Sequence, residues 1–592
     1  MRLNLFLPMR RAGDPAPGLV RRALRRLGPT WEAAPLRRIT QVFALAAFLV
    51  LFLYVTWPYG SKDYASLRDS KEVLAAETFL ALDPLVSLST AVAARAWVWS
   101  LAWAGVLLAA CLVWPRGFCG YLCPLGTLID LADTVLGRRP IRRHAGRDSW
   151  WRNLRYGALV AVMASAAAGV LLSGFLAAMP ILVRGMALAV SPLQMGVLKG
   201  WYLVPPMGAG QVVGALILAA VLVPAILGRR LWCRCLCPSG AVFSVANLLR
   251  MTERKVDATC TGCGKCREVC PFGAIRPDFS TRGTDCTFCQ TCGGVCPVGA
   301  IRFAPRWEGA ARPQADVARL ACPAVEGEGQ PLGAATCSRR RFLAGAAGGA
   351  AAIVGGVGAA KAVRGAGGKP GVVPIRPPGS VPEPEFLRLC IRCGACYQAC
   401  PNNVLQPMGL TGGLNALWTP EAVPNWSGCE PSCNNCGHVC PTGAIRDLAI
   451  GEKRAARMGL AVVNIQTCLP YIGFEGNCRM CYDECRAAGY DAIEFVRVGV
   501  ETDTDGKPIE GTGYLAPVVL PEKCNGCGLC QTRCHKINVL AEKVLDETAI
   551  RVVAGPGKED RLMSGSYRAL RESEQKRPPA PDGDTYLPEF LK

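Results

Sequence analysis

The residues able to do chemistry are cysteines in repeated groups. Cys260-x-x-Cys263-x-x-Cys266-x-x-x-Cys270-Pro271 is followed by Cys286-x-x-Cys289-x-x-Cys292-x-x-x-Cys296-Pro297. Three closely spaced thiolates cap three corners of one [4Fe-4S] cubane, and the fourth, turned away at the proline, reaches the neighbouring cluster. The spacing predicts one cluster on Cys260, Cys263, Cys266 and Cys296, and a second on Cys270, Cys286, Cys289 and Cys292. The repeat Pro-x-Gly-Ala-Ile at 271–275 and 297–301 fits a pseudo-twofold ferredoxin module. Zinc needs only four ligands per site and rarely takes this doublet form.

Four more groups follow. They are Cys390, Cys393, Cys396 and Cys400; Cys429, Cys433, Cys436 and Cys440; Cys468, Cys478, Cys481 and Cys485; and Cys524, Cys527, Cys530 and Cys534. Sixteen thiols suffice for four more cubanes, six in all. The second and third groups have stretched first gaps, so their first ligands come from loops. Ligand swapping between groups is expected; the spacing leaves the pairs open, and by analogy the first group would pair with the fourth and the second with the third. His438 and His535 abut ligand cysteines and read as surface or outer-shell side chains.

A different pattern is Cys119-Gly-Tyr-Leu-Cys123-Pro124 and Cys233-Arg-Cys235-Leu-Cys237-Pro238. The shared Cys-x-x-x-Cys-Pro spacing at the ends of two apolar runs predicts that Cys119, Cys123, Cys233 and Cys237 converge. They would form either a redox dithiol pair or an extra metal site, with Cys235 as a substitute ligand. These five are the candidate redox thiols; Cys111, Cys322 and Cys337 have no assigned role.

These groups need a scaffold that spans a membrane. The 592 residues are 51% hydrophobic, with a formal net charge of +21. The arginines cluster beside apolar runs, as topology signals do, so nucleic acid is not an expected partner. Residues 1–38 carry nine arginines against two acids and are expected in the cytoplasm. Four runs are long enough to cross a bilayer: Thr40–Trp57, Ala96–Trp114, Tyr156–Ala178 and Gly208–Gly228. Arg116, Arg152, Arg155, Arg229 and Arg230 lie in segments read as cytoplasmic. The stretches 73–94, broken by Asp83-Pro84, and 180–206, broken by Pro192 and Gly200, are expected to lie in the outer interface or dip into the membrane. His144, His438 and His535 are the only histidines, and no Cys-x-x-Cys-His motif occurs, which favours iron–sulfur over haem chemistry.

Ser338-Arg339-Arg340-Arg341-Phe342-Leu343, before a Gly/Ala-rich apolar run, reads as an internal twin-arginine export signal. Clusters assembled in the cytoplasm would need export after folding, which links this signal to the cysteines behind it. The expected fold is an α-helical membrane domain, four spans plus one signal or anchor span, with small α+β ferredoxin-like [4Fe-4S] domains on both sides. The expected layout is a basic arm at 1–38, a four-span domain at 39–230 and a cytoplasmic two-cluster ferredoxin at 231–305. A linker at 306–337, the signal at 338–362 and a Pro/Gly linker at 363–385 follow. A periplasmic four-cluster ferredoxin at 386–555 and a tail at 556–592 complete the chain.

The four runs, both Cys-x-x-x-Cys-Pro motifs, Asp83-Pro84-Leu85 and the doublet at 260–296 resemble the NapH/NosR type of membrane ferredoxin over about residues 35–305. Cys235 departs from that pattern. Residues 338–550, with their signal and four cysteine groups, resemble the NapG type and its MauM relatives. The double resemblance implies a fusion acting in the bacterial inner membrane as a quinol dehydrogenase component. It would pass electrons from the membrane quinol pool to a periplasmic cytochrome c or reductase, after handling by the twin-arginine export machinery. The alternative is a NosR/CcoG-like maturation or maintenance factor for a metalloenzyme; a scaffold with inert clusters is a further competitor.

Overall fold

The computed structural model describes residues 29–55, 78–135, 150–308, 339–366, 373–473, 478–500 and 512–576, with isolated positions before 29. Cys322, Cys337, His144 and Ser338 lie outside the described residues, as do 58–77 and the tail after 576. The chain forms two compact units. One comprises 1–54, 78–182 and 216–361, the other 55–77, 183–215 and 362–592.

The first unit is a helical assembly with a small ferredoxin-like module. Its helices include α1 (Pro35–Val55), α2 (Pro84–Ala94), α3 (Ser100–Val113), α4 (Pro124–Val135), α5 (Leu154–Ala167) and α6 (Ala178–Ala189), of which α6 runs on into the second unit. The dipping element expected around Asp83 is α2, buried along most of its length and packed against α3 and α5. Asp83 starts it: its carboxylate accepts from Leu85 N at 3.1 Å, satisfying a donor the first helical turn leaves open. Pro84 at the first helical position loses no hydrogen bond there.

Among the described residues, three helices are long and apolar enough to cross a membrane, by length and composition: Pro35–Leu53, Ala178–Val197 and Leu343–Gly365. The run expected at 156–178 is not one helix. It ends at Ala167, where Gly169 takes a φ of 78°, and restarts at Ser173 and again at Ala178. The left-handed glycine closes the last turn of α5.

The module of the first unit is closed by two antiparallel strands, β1 (Thr252–Val256) and β2 (Ile301–Pro305), in register from Thr252 opposite Pro305 to Val256 opposite Ile301. They clamp the two ends of the cysteine doublet together. Phe288 and Phe303, both buried, fill the space beneath, their rings meeting edge to face with centroids 4.9 Å apart.

The second unit holds the four later cysteine groups on short helices and three antiparallel pairs. These are β3 (Leu405–Pro407) with β4 (Pro420–Ala422), β5 (Leu460–Val463) with β8 (Ile550–Val553), and β6 (Ile493–Val498) with β7 (Tyr514–Val519). Residues 183–215 belong to this unit. Within it, Arg184 stacks over Trp418 at 4.2 Å and donates to Arg392 O at 3.2 Å, and Trp418 Nε1 donates to Gly210 O at 2.7 Å.

Candidate iron–sulfur centres

The backbone around each regular group follows one rule. The residues flanking the middle cysteine are left-handed: Gly262 and Gly264, Phe288 and Gln290, Arg392 and Gly394, Gly526 and Gly528. Non-glycine residues enter this region at a cost and persist where surrounding structure demands it. The bends curl each loop around one centre, so that three thiols face one space and a short helix starts at once. Those helices include Lys265–Val269, Ala395–Gln398 and Leu529–Cys534.

In the first unit the thiols gather as the swapped-ligand rule predicts. Cys266 lies within electrostatic reach of Cys260, Cys263 and Cys296. Cys270, Cys286, Cys289 and Cys292 line one small cavity. Ala274 N donates to Cys270 Sγ and Ala300 N to Cys296 Sγ, both at 3.3 Å, so the two Cys-Pro turns match as a pseudo-twofold pair should. Burial pushes the Cys286 thiol up to about 12. Such thiols are held as thiolates only by iron or an equivalent charge, so the donor set fits cubanes.

In the second unit the expected pairing is overturned. Cys393 and Cys396 lie beside Cys390 and Cys440, whereas Cys433 and Cys436 lie beside Cys429 and Cys400. Cys481 lies beside Cys468, Cys478 and Cys534, while Cys485, Cys524, Cys527 and Cys530 line one cavity. The first group exchanges its last cysteine with the second, and the third with the fourth. The reason is chain geometry: each fourth cysteine ends a short helix and turns to the neighbouring group, as in the first unit. Cys400-Pro401 and Cys440-Pro441 carried that signal. Cys429 N donates to Cys527 O at 2.8 Å, joining the two doublets edge to edge.

Four thiols of the other motif also converge. Cys123 is within electrostatic reach of Cys119 and Cys233, and Cys237 of Cys233 and Cys119. Cys235 does not join them; it faces Arg234, Arg152 and Arg155, because two residues along the helix Leu231–Cys235 turn it about 200° from Cys233. Cys111 is buried against Phe118 and Phe243. Every described cysteine is a free thiol.

Several arginines read from sequence as topology signals are buried structural groups. Arg230 grips Asp130 through Nε at 2.6 Å and Nη2 at 2.9 Å, and Arg37 reaches the same carboxylate at 2.9 Å. Arg152 and Arg155 both pair with Asp285. Burial alone would raise the Asp285 carboxyl, but these two charges hold it below the usual range. Sequence reasoning also missed Arg254, 6% exposed on β1, between the two thiol sets: its Nη2 is 3.9 Å from Cys266 Sγ and its charge is felt by Cys292 and Cys286. His438 pairs with Asp447 at 3.0 Å, and burial lowers the His535 imidazole; neither histidine joins a thiol set.

Comparison with known proteins agrees with this chemistry. A domain family described as a 4Fe-4S binding domain matches residues 95–143, 211–255 and 436–457, and a second family of the same description matches 255–276 and 387–406. The methylamine utilization ferredoxin-type protein MauM of Paracoccus denitrificans is 37% identical over 193 residues, 31% of this chain and 75% of the relative. The ferredoxin-type protein NapG of Escherichia coli is 37% identical over 222 residues, 36% of this chain and 85% of the relative. The methylamine utilization ferredoxin-type protein MauN of Methylorubrum extorquens is 30% identical over 273 residues, 46% of this chain and 83% of the relative. No solved structure matches. Grouped thiols, swapped fourth ligands and these relatives together identify the chain as an iron–sulfur electron-transfer protein of the NapG/MauM ferredoxin type.

Proposed function

We propose that this chain carries electrons from membrane quinol to a periplasmic acceptor through six [4Fe-4S] clusters, two in the first unit and four in the second. The ligand sets are those the thiols form by proximity, from Cys260–Cys296 and from Cys390–Cys534. The first unit is read as embedded in the inner membrane with its doublet on the cytoplasmic side. The segment after Ser338 is read as a twin-arginine signal that sends the second unit to the periplasm.

One observation carries this reading. The second unit's thiol sets are linked in a file, from Cys390/Cys393/Cys396/Cys440, through Cys400/Cys429/Cys433/Cys436 and Cys485/Cys524/Cys527/Cys530, to Cys468/Cys478/Cys481/Cys534. The link between the two doublets is the Cys429–Cys527 backbone contact. At the head of the file lies the apolar segment 183–215, where Arg184 approaches Cys393 and Tyr397. A file that begins beside an apolar segment and ends away from it suits transfer out of a membrane. The clusters, when bound, supply one-electron redox chemistry. The chain fixes their spacing, excludes water and sets the surrounding charge.

Anaerobic mixing of the full chain in detergent with a reduced quinol analogue tests this. Cluster bleaching in wild type, abolished by Arg184→Gln with iron content retained, is expected. Equal bleaching in both proteins would overturn quinol entry at this end, and no bleaching in either would overturn quinol as donor. Replacing Arg339 and Arg340 by Lys should block export of the second unit.

A further inference from the structure

We infer that a basic cavity beside the ferredoxin doublet of the first unit binds the phosphate headgroup of an acidic phospholipid, whose acyl chains lie on the apolar turn at its rim. This rests on the first unit being embedded in a membrane and not on quinol being the electron donor.

The open cavity, of about 380 Å³, is lined by Arg152, Arg155, Arg250, Arg276 and Arg282, with Asp285 as the one carboxylate on its wall among the described residues. That volume falls within the ~300–1,000 Å³ typical of small-ligand sites. The charges around it do not cancel. Asp285 is already engaged by Arg152 and Arg155. Glu253 is shared between Arg250 at 3.2 Å and Lys255 at 3.1 Å. Arg276 reaches Ser280 Oγ at 3.4 Å, and that hydroxyl donates to Asp278 at 2.7 Å. Burial lowers the Arg152 guanidinium; Asp285 opposes this, but Arg234, Arg282 and Arg155 lower it further, so like charges crowd here. The five wall arginines with Arg234 and Lys255 thus face three carboxylates, Asp285, Glu253 and Asp278. Guanidinium forks match phosphate oxygens, which makes a phosphate the fitting anion.

The backbone is shaped to hold this wall. A Cβ on Gly283 would overlap the Arg250 guanidinium, so glycine there gives that side chain its place. Arg250 follows the turn Asn247–Leu249, which continues α7 (Pro238–Ala246). The buried Asn247 donates through Nδ2 to Gly283 O and Cys286 O, both at 3.1 Å, and so pins the turn to the cavity wall.

The rim is apolar. Leu248 and Leu249 on this turn and Met251 just after it are exposed, Leu249 to 74%. Trp151, also exposed, precedes Arg152 on the short helix Trp150–Asn153 that leads into the apolar α5. Tryptophan beside arginine at the end of an apolar helix is the arrangement found at lipid headgroup level. A free phosphate would answer the arginines and leave the leucines in water. An acidic phospholipid answers both, with its phosphate among the guanidiniums and its chains on Leu248, Leu249 and Met251.

Flotation and native mass spectrometry of the full chain read the two parts separately. Flotation with vesicles of phosphatidylcholine alone reports embedding, and a chain that stays in the aqueous phase would overturn the membrane reading. In detergent, native mass spectrometry should show dioleoyl phosphatidylglycerol retained in preference to dioleoyl phosphatidylcholine. Arg250→Gln/Arg276→Gln should weaken that preference by about 30-fold, with iron content unchanged. Arg152 and Arg155 are left in place because they hold Asp285. If the double variant loses iron, Arg276→Gln alone, at an exposed side chain, is read for a loss of about fivefold. The control is Arg486→Gln/Arg497→Gln, which removes two exposed arginines of the second unit and should leave retention unchanged. No preference for phosphatidylglycerol in a chain that floats would overturn the site alone, as would equal weakening by the control pair. Displacement of the lipid by inorganic phosphate at equal concentration would overturn the lipid as the source of the phosphate.

Discussion

Arg254→Gln should lower the reduction potentials of the first unit's ferredoxin doublet by about 50–120 mV. The guanidinium is 6% exposed and held in place by Phe279 O at 2.9 Å and Thr281 Oγ1 at 3.1 Å. Its Nη2 stands 3.9 Å from Cys266 Sγ, a ligand of one set, and its charge reaches Cys292 and Cys286 of the other. Added electron charge spreads over a whole cubane, so roughly 6 Å is a fair effective separation; at an effective dielectric near 20 the interaction is about 2.8 kcal/mol. With 59 mV per tenfold change for one electron, that is about 120 mV, and solvent or counter-charge relaxation in the variant reduces it toward about 50 mV. Gln keeps a donor near the Phe279 carbonyl, so the fold is preserved. EPR-monitored redox titration of the full chain is the assay, with iron content as control. Both doublet signals should move down together while those of the second unit stay fixed. A shift confined to one doublet cluster, or an upward shift, would refute the placement of this charge between the two sets.

Two other outcomes follow from other buried charges. Glu383 binds Arg376 at 3.0 and 2.6 Å and Arg561 at 2.6 Å; burial alone would raise its carboxyl, but the hydrogen bonds and charges of these arginines hold it below the usual range. Because Glu383 is a third exposed while Arg376 is buried, Glu383→Gln should cost about 2–3 kcal/mol, less than a fully buried pair. That is a drop of roughly 5–10 °C in the loss of cluster absorbance on heating. A depressed folded pKa means this stabilisation is complete above the ordinary glutamate value and is lost only as pH falls through the folded one, so the gap between the proteins should be flat from pH 7 to pH 5; a gap that closes over that range contradicts the assignment. Stripping iron should open the chain to trypsin after Arg254 and Arg392, since both guanidiniums are then buried beside neutral thiols at a cost of several kcal/mol each; equal resistance of apo and loaded protein would show that the thiol loops are held without metal.

What the sequence made legible follows from how local each signal is. The grouping of the thiols at 260–296 could be read residue by residue because the rule involves only spacing and one proline. The convergence of Cys119, Cys123, Cys233 and Cys237 was legible because a repeated motif at repeated helix ends implies a shared destination. The pairing in the second unit was misread for the opposite reason. The nested pairing was drawn by analogy, and nothing in the stretched gaps before Cys433 and Cys478 records which neighbour a helix end will face. Cys400-Pro401 and Cys440-Pro441 held that information, and the third and fourth groups follow the same exchange without a proline. Gly169 splits a run that looks continuous by hydropathy, since a left-handed residue leaves no mark on an apolar average.

Arginine was read least well, and for a physical reason. Net charge and position beside apolar runs look the same whether a guanidinium faces lipid headgroups or lies buried against an anion. Arg116 and Arg230 sit next to each other's loops, yet they answer different charges. Arg230 faces Asp130 through two hydrogen bonds. Arg116 lies over the ring of Phe272 at 5.3 Å, donates to Thr284 O at 3.4 Å and sits beside the Cys119 thiol, with the Asp285 charge also in reach. Arg254 repeats that second pattern beside Cys266, and Arg392 lies beside Cys390. Where an acid is the counter-charge, the pair is complete in the polypeptide. Where thiols are the counter-charge, they become anionic only when metal binds, so folding and loading are coupled at those arginines. Part of the formal +21 is therefore matched by bound clusters. This basic character belongs in part to the chemistry of iron–sulfur ligation.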